Sequence, residues 1–218
     1  STNFGLGITI LKHNYDETDF KAALQIAFEH DNTVLIEKFI PGREFRIFII
    51  NDEVVGILHR VPANVTGDGV LNIGQLIDRK NEDPLRGKGY RTPLEKIRKG
   101  REEEMFLKQQ GMDFNTVPKE GEVVYLRENS NISTGGDSID FTDDIDDSYK
   151  AIAVEAAKAL NVKITGLDMM IQDIHAPATP DNYAIIEMNF NPAIHIHCYP
   201  FKGKNRHLNH KMIRALGF

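Results

Sequence analysis

The sequence predicts an α+β fold in which a mixed or antiparallel sheet is flanked by helices. Hairpins and helices are interleaved along the 218 residues rather than alternating as strand–helix units. Hydrophobic residues make up 41% of the chain, enough to bury a sizeable core. Two β-branched runs on either side of Asn51-Asp52 predict a hairpin with a tight turn.

The remaining elements follow from hydrophobic spacing, from capping residues and from Gly or Pro breaks. We expect strands at 8–12, 33–40, 43–51, 53–61, 122–127, 163–173 and 183–190, and helices near 18–30, 72–81, 92–111, 145–160 and 206–216. Asp16 or Thr18 caps the first helix, and Pro41-Gly42 ends the strand over 33–40, which we expect to be buried. Gly-containing loops are expected at 62–70 and 128–138.

Charge and composition exclude several classes of partner. The net charge is −6 and the basic residues are scattered, which argues against a nucleic-acid partner. No apolar run approaches the roughly 20 residues that span a bilayer, so no membrane partner is expected. The single cysteine fits a reducing compartment, and we expect a cytoplasmic protein.

Alternating polar side chains end the strand predicted at 183–190. Glu187, Asn189 and Asn191 point to one face, and Asp168 interrupts the apolar strand that precedes it. If the two strands are neighbours, Asp168, Glu187 and Asn189 converge into an oxygen-ligand set that suits Mg²⁺. The alternative is a solvent-facing strand end in which Asp168 pairs with a lysine or arginine.

His195, His197 and Cys198 form an HxHC pattern that is compatible with zinc, although no second cluster completes a tetrahedral site. Histidines lining a pocket, with Cys198 buried as a small apolar residue, are the favoured interpretation.

Three further segments carry candidate binding groups. The glycine-containing turn at 1–7 is compatible with phosphate binding and equally with a plain hairpin. The segment 37–46, EKFIPGREFR, is compatible with a hinge that binds a nucleoside, or with two joined strands and a surface salt bridge. Arg127, Asn129 and Asn131 alternate ahead of a Gly-Gly turn, where an arginine suits a carboxylate or phosphoryl group; the alternative is a solvated loop in which the arginine is incidental.

Taken in order, six motifs resemble the ATP-grasp superfamily of carboxylate–amine ligases across essentially the whole chain. They are the Gly-rich turn at the start, EKFIPGREFR, RVPANVTGDG, LRENSNISTGGDS, GLDMMI and IIEMNFNP. Within that superfamily, YLRENSNISTGGDSIDFTDDI and NFNPAIHIHCYPFKGKNR are most similar to the glutathione synthetase module of the bifunctional γ-glutamylcysteine ligase/glutathione synthetases.

The resemblance implies a role for each matching position. For the nucleotide, it assigns Glu37, Lys38 and Ile40 to adenine, Glu44 to ribose, and Asn3, Phe4 and Gly5 to the phosphates. It assigns Asp168, Glu187 and Asn189 to the metal, and Arg127 and Arg60 to the transferring phosphoryl group. Asn129, Asn131, His195 and His197 are assigned to the substrate side. The implied cofactors are ATP and Mg²⁺ or Mn²⁺.

The implied reaction joins γ-glutamylcysteine to glycine through an acyl phosphate. The resemblance further implies that residues 1–40 are part of a lid subdomain, that 41–218 form the nucleotide- and metal-binding subdomain, and that both belong to a longer bifunctional chain. A cyanophycin synthetase-like ligase and a non-catalytic ATP-binding fragment remain the alternatives, since the lysine strand that usually precedes the first motif is not in the sequence.

Overall fold

The fold was analysed in a computed structural model, which describes residues 9, 11 and 15–218. The chain divides into two compact units, residues 1–41 and 42–218, which are described separately. The helices are α1 Glu17–Phe28, α2 Ile73–Lys80, α3 Arg101–Gln109, α4 Asp147–Ala159, α5 His195–Cys198 and α6 Leu208–Ala215. The strands are β1 Arg43–Ile50, β2 Glu53–Val61, β3 Asn64–Thr66, β4 Arg86–Gly87, β5 Leu94–Glu95, β6 Val123–Tyr125, β7 Asp137–Asp140, β8 Ile164–Ile171 and β9 Tyr183–Asn189.

The described part of the first unit contains α1, which begins where the sequence predicts. The Asp16 carboxylate accepts hydrogen bonds from the backbone N–H groups of Thr18 and Asp19 at 2.8 and 2.9 Å, and so caps the helix. The strand predicted at 8–12 falls largely outside the described residues.

The prediction of a buried strand at 33–40 is wrong. Residues 34–40 have no regular secondary structure, and Leu35 and Ile36 are 78% and 65% exposed. A strand needs a neighbour to satisfy its backbone, and among the described residues none pairs with this stretch. Hydrophobicity alone was therefore a poor guide there.

The second unit is built on a five-stranded sheet with the order β7-β2-β1-β8-β9, and each neighbouring pair is antiparallel. The β1–β2 hairpin is confirmed. Its turn residues Asn51 and Asp52 have φ values of 46° and 64°, the left-handed conformation that two-residue hairpin loops require. The predicted α+β class is thereby confirmed.

The two faces of this sheet are covered differently. One face packs on α4 and forms a core of Phe45, Ile47, Ile49, Leu167, Met169, Tyr149 and Ala153 with their neighbours. The other face has an apolar cluster near the hairpin turn, where Phe48 and Ile50 meet Cys198 and Leu208 of the C-terminal helices. Toward the opposite end of the strands this second face carries charged side chains instead.

A second hydrophobic core lies beside the sheet. It is formed by buried residues of α2, α3, β3, β6 and adjoining loops: Ala63, Val65, Ile73, Leu76, Ile77, Ile97, Leu107, Val124 and Leu126. The loop predicted at 62–70 thus contains β3, which pairs with β6.

The helix predicted at 92–111 is only partly present. Leu94 and Glu95 form β5, parallel to β4, and α3 begins only after Gly100, whose extended backbone starts the helix. Helix α5 was not predicted. No helix in the described residues has the length and apolar character to cross a bilayer.

Candidate functional site

The charged face of the sheet is organised around Asp168 of β8. Its carboxylate, only 3% exposed, accepts a hydrogen bond from Arg46 Nη2 at 2.8 Å and is also bonded by Arg46 Nε. Arg60 Nη2 donates to the same carboxylate at 2.9 Å. Arg46 and Asp168 are register partners on neighbouring strands, so their side chains share one face. Asp168 is therefore a buried carboxylate paired with two arginines.

Gly166 makes room for this arrangement. A Cβ at this position would lie 3.0 Å from Cδ of Arg46 and 2.8 Å from Cβ of Pro192. The missing side chain lets the Arg46 stem lie across β8 toward Asp168.

The three predicted metal ligands are brought together on adjacent strands. Glu187 of β9 is the register partner of Asp168, and Asn189 lies two residues further on the same face. Asn189 Nδ2 donates to Glu187 Oε1 at 2.9 Å, and Glu187 is exposed. Two carboxylates and an amide oxygen are hard donors that fit Mg²⁺ or Mn²⁺.

His, Cys, Asp and Glu side chains alone do not build a metal site in the described residues, where no group of three or more of them is arranged to hold an ion. A cation at Glu187 would therefore depend on the amide oxygen of Asn189.

Glu44 of β1 joins the same charge network. It forms an ion pair with Arg60, and Ser130 Oγ donates to its Oε2 at 2.7 Å. Ser130 belongs to the Gly-rich loop, so this bond holds the loop against the sheet. To accept a hydrogen bond from a ribose hydroxyl, Glu44 must use a carboxylate lone pair that neither Arg60 nor Ser130 occupies.

A cavity of about 170 Å³ lies over Arg46 and Arg60. One wall, called the β5 wall, comes from residues 90–95, and the others come from the Gly-rich loop and the start of α5. The lining includes Thr92, Glu95, Asn131, Ser133 and His195. Among the described residues, the Nε–H of Arg60 is one of few buried side-chain donors with no partner. A buried cationic N–H beside a cavity is suited to an anionic oxygen.

The predicted residues of the Gly-rich loop separate into two groups. Asn131 lines the cavity, whereas Asn129 Oδ1 accepts from Thr134 Oγ1 at 2.9 Å within the loop. Arg127 is not among the cavity-lining residues, because its guanidinium is bound by Glu102 and Glu103 of α3. In this structure Arg127 holds α3, and Arg60 is the predicted arginine that lies in the charge network.

The two histidines also occupy different positions. His195 lines the cavity, and burial lowers its pKa. His197 lies beneath the site, fully buried, with neither ring nitrogen hydrogen-bonded. Burial, assisted by the charge of Arg46, lowers the pKa of His197 to about 3, so the ring is neutral. His197 thus packs under the site, edge-on to Phe48 at 5.4 Å.

The remaining predicted residues lie in the first unit. Glu37 and Lys38 are exposed and Ile40 is half-buried. Asn3, Phe4 and Gly5 lie outside the described residues.

Sequence reasoning missed Arg46 and Ser130. Arg46 interrupts the apolar strand REFRIFII just as Asp168 interrupts its own strand, and that parallel was the available signal. Two opposite charges, each isolated in a buried strand, predict a pair. Ser130 carried no comparable signal.

No protein-family model matches the chain. Curated relatives do match: the chain is 63% identical over 218 residues to the glutathione biosynthesis bifunctional protein of Desulfotalea psychrophila, covering all of this chain and 28% of that protein. It is 58% identical over 216 residues to the protein of the same name from Clostridium perfringens, again covering 28% of it.

A solved structure agrees with these relatives. The bifunctional glutathione synthetase from Pasteurella multocida superimposes with a TM-score of 0.79 at 46% sequence identity, over 99% of this chain and 30% of that one. The resemblance found in the motifs is thereby confirmed. The chain is homologous to one segment of the bifunctional glutathione biosynthesis proteins and spans about 28% of their length.

Proposed function

We propose that this chain provides the nucleotide- and metal-binding part of an ATP-grasp ligase that joins γ-glutamylcysteine to glycine and releases ADP and phosphate. One observation carries the proposal. Arg46, Arg60, Asp168, Glu187 and Asn189 share one face of the sheet, beside a cavity that both arginines line. The names of the relatives, which concern glutathione biosynthesis, support the choice of substrates.

In this proposal Asp168, Glu187 and Asn189 hold Mg²⁺, with Mn²⁺ as a substitute that takes the same oxygen donors. Bound there, the metal supplies positive charge to the phosphates of ATP. Glu187 is the exposed member of the set and offers the carboxylate oxygens nearest to solvent.

Arg60 and Arg46 bind and orient the acid substrate. The cysteine carboxylate of γ-glutamylcysteine lies in the cavity against Arg60, whose buried Nε–H has no other partner. A carboxylate oxygen attacks the γ-phosphorus, the bond to the ADP oxygen breaks, and an acyl phosphate results. Two guanidinium groups offset the negative charge gathered in this step.

The amine of glycine then attacks the carbonyl carbon and phosphate leaves with the bonding electrons, while the amine loses a proton. Closure of this site over the reacting groups would protect the acyl phosphate from hydrolysis. His195, which lines the cavity and has a lowered pKa, lies on the substrate side as a neutral ring. His197 supports the site from below.

The nucleotide-binding roles remain part of the proposal. Glu37, Lys38 and Ile40 line the adenine site, Glu44 binds the ribose, and residues 3–5, which lie outside the described part of the chain, cover the phosphates. Residues 1–40 belong to a lid and 41–218 to the nucleotide- and metal-binding subdomain. Arg127 and the Asn129–Asn131 loop support the phosphoryl group once they are released from the contacts described above. The setting is a longer bifunctional chain in the cytoplasm.

The test is ADP release by the full natural chain that contains this segment, with Mg²⁺, ATP, γ-glutamylcysteine and glycine, each omitted in turn. We expect release to require every component. Glu187→Gln should abolish it, and Glu155→Gln, on the exposed side of α4, should leave it unchanged.

Other outcomes favour other functions. Release with a different acid substrate would keep the ligase chemistry and replace γ-glutamylcysteine. Nucleotide binding without release under any combination would favour a non-catalytic ATP-binding role.

A further inference from the structure

Arg86 is a buried arginine that no step of the proposed reaction uses. Its side chain is fully buried, on the short strand β4. It pairs with Asp137 at the start of β7 and donates through Nη1 to two carbonyl oxygens, those of Glu95 at 2.8 Å and Gly135 at 3.0 Å. Such a fork of fixed donors is available only from arginine.

The two carbonyl groups belong to two of the segments whose residues line the cavity. Glu95 is on the β5 wall, and Gly135 closes the Gly-rich loop that carries Asn131 and Ser133. The walls are in tight contact at this point, since a Cβ on Gly135 would lie 2.8 Å from Cα of Ile97. One guanidinium therefore links both walls to the edge strand of the sheet.

We infer that Arg86 is a positioning residue, which sets the spacing of the two cavity walls and thereby the binding of the acid substrate. It touches neither the cavity nor the Asp168 network, so its effect runs through the backbone of Glu95 and Gly135. The expected change in substrate binding rests on the proposed function. The expected change in the spacing of the walls rests on geometry alone.

Lys80 provides a matched control. Lys80 Nζ donates to the same Asp137 carboxylate at 2.6 Å, and Phe201 lies over both cations at 5.2 and 5.4 Å. Its other hydrogen bonds go to Asn64, which is not on a cavity wall. Removing Lys80 thus disturbs the same buried carboxylate without releasing the walls.

The experiment compares Arg86→Lys, Arg86→Met and Lys80→Met in the full natural chain. Arg86→Lys keeps a positive charge but replaces two nitrogens, Nη1 on the carbonyl groups and Nη2 on Asp137, with a single one, so it cannot reproduce all three contacts. We expect faster amide hydrogen exchange at 94–97 and 131–136 in both Arg86 variants and not in Lys80→Met. We also expect KM for γ-glutamylcysteine to rise about 10- to 100-fold in Arg86→Lys, with KM for ATP unchanged.

The outcomes separate the two proposals. Unchanged exchange at both walls in the Arg86 variants, or equal changes in Lys80→Met, would overturn the positioning role. The positioning role would also be overturned if KM rose by the same factor for ATP as for γ-glutamylcysteine. If the unaltered chain releases no ADP, the proposed ligase function fails, and hydrogen exchange still decides the role of Arg86.

Discussion

Arg46 and Asp168 illustrate how a charged pair is tolerated inside a sheet. Each side chain is almost completely buried, and each would be costly without the other. The bidentate geometry and the additional bond from Arg60 satisfy both oxygens of Asp168. The pair therefore fixes the position of a carboxylate that the proposed metal site needs.

Arg46→Met should destabilise the fold as well as the reaction. We expect the free energy of unfolding to fall by about 2 to 3 kcal/mol, near the low end for breaking a buried ion pair because Arg60 still binds Asp168. Urea denaturation measures this change. Arg79→Met, which removes an exposed pair with Asp68, should cost less than about 1 kcal/mol. Equal losses in the two variants would show that burial of the Arg46 pair has no energetic consequence.

His197 makes stability depend on pH. Its pKa is about 3 in the folded chain, below the ordinary 6.5, so the unfolded state takes up a proton first as pH falls. The free energy of unfolding should therefore decrease between pH 6.5 and about 3, by roughly 1.4 kcal/mol per pH unit for this group. His59, with a pKa lowered to about 4 by burial, acts in the same direction.

The pH effect is measured by urea denaturation at pH 6.5, 5.5 and 4.5, above the ordinary pKa of aspartate. His197→Met should flatten the dependence, and His175→Met, an exposed residue, should not. An unchanged slope in His197→Met would contradict a neutral buried ring.

At the scale of elements, the sheet face near the hairpin turn is closed by the C-terminal helices. Gly56 of β2 permits this closure, since a Cβ there would lie 2.8 Å from Nδ1 of His197 and 3.2 Å from Cδ1 of Leu208. The contact with His197 is closer than a Cβ atom normally approaches, and the contact with Leu208 is tight. The approach of α5 and α6 to β2 thus depends on the absence of one methyl group.

Gly56→Ala should lower the free energy of unfolding by about 1 to 3 kcal/mol, the usual cost of overpacking. Gly74→Ala on α2, where the nearest atoms lie at 3.4 Å, should be neutral or stabilising because alanine favours helix. In a double-mutant cycle, His197→Ala should relieve part of the Gly56→Ala penalty. Strict additivity would exclude the predicted clash.

Sequence reasoning succeeded where the signal was local. The Asp16 cap and the Asn51-Asp52 turn depend on neighbouring residues, and both are confirmed. The strand over 33–40 failed because its pairing partner is not determined by its own residues. The prediction that α3 starts at residue 92 failed for the same reason, because Leu94–Glu95 pairs with β4 instead.

In the candidate site, too, local patterns were predicted from the sequence and long-range contacts were not. Alternation correctly predicted that Asp168, Glu187 and Asn189 share a face once β8 and β9 are neighbours. The partners of Arg127 could not be predicted, since they depend on where α3 packs. Arg46 and Asp168 are 122 residues apart, and only the sheet order β1-β8 brings them together.

At the scale of the whole molecule, strands β1 and β2 and the segments that follow β2 contribute to three hydrophobic cores. The α4 core, the core around α2 and α3, and the cluster under α6 all contain residues of β1, β2 or the segments that follow β2 directly. Ligands bound on the charged face would therefore stabilise the strands that the α4 core and the α6 cluster share. This coupling predicts that nucleotide and metal together raise the stability of the whole fold and not only of the strands at the site.

Thermal unfolding of the 218-residue chain tests that response. With Mg²⁺ and ATP together at about 100 times their Kd, we expect stabilisation of roughly 2.7 kcal/mol, a rise in Tm of about 5 to 10 °C. ATP with EDTA, or Mg²⁺ alone, should give much smaller shifts, because the metal needs both the carboxylates and the phosphates. Glu187→Gln should remove the joint effect while Glu155→Gln keeps it. A shift from ATP that is the same with EDTA and in Glu187→Gln would mean that nucleotide binding here does not use the Asp168–Glu187–Asn189 set.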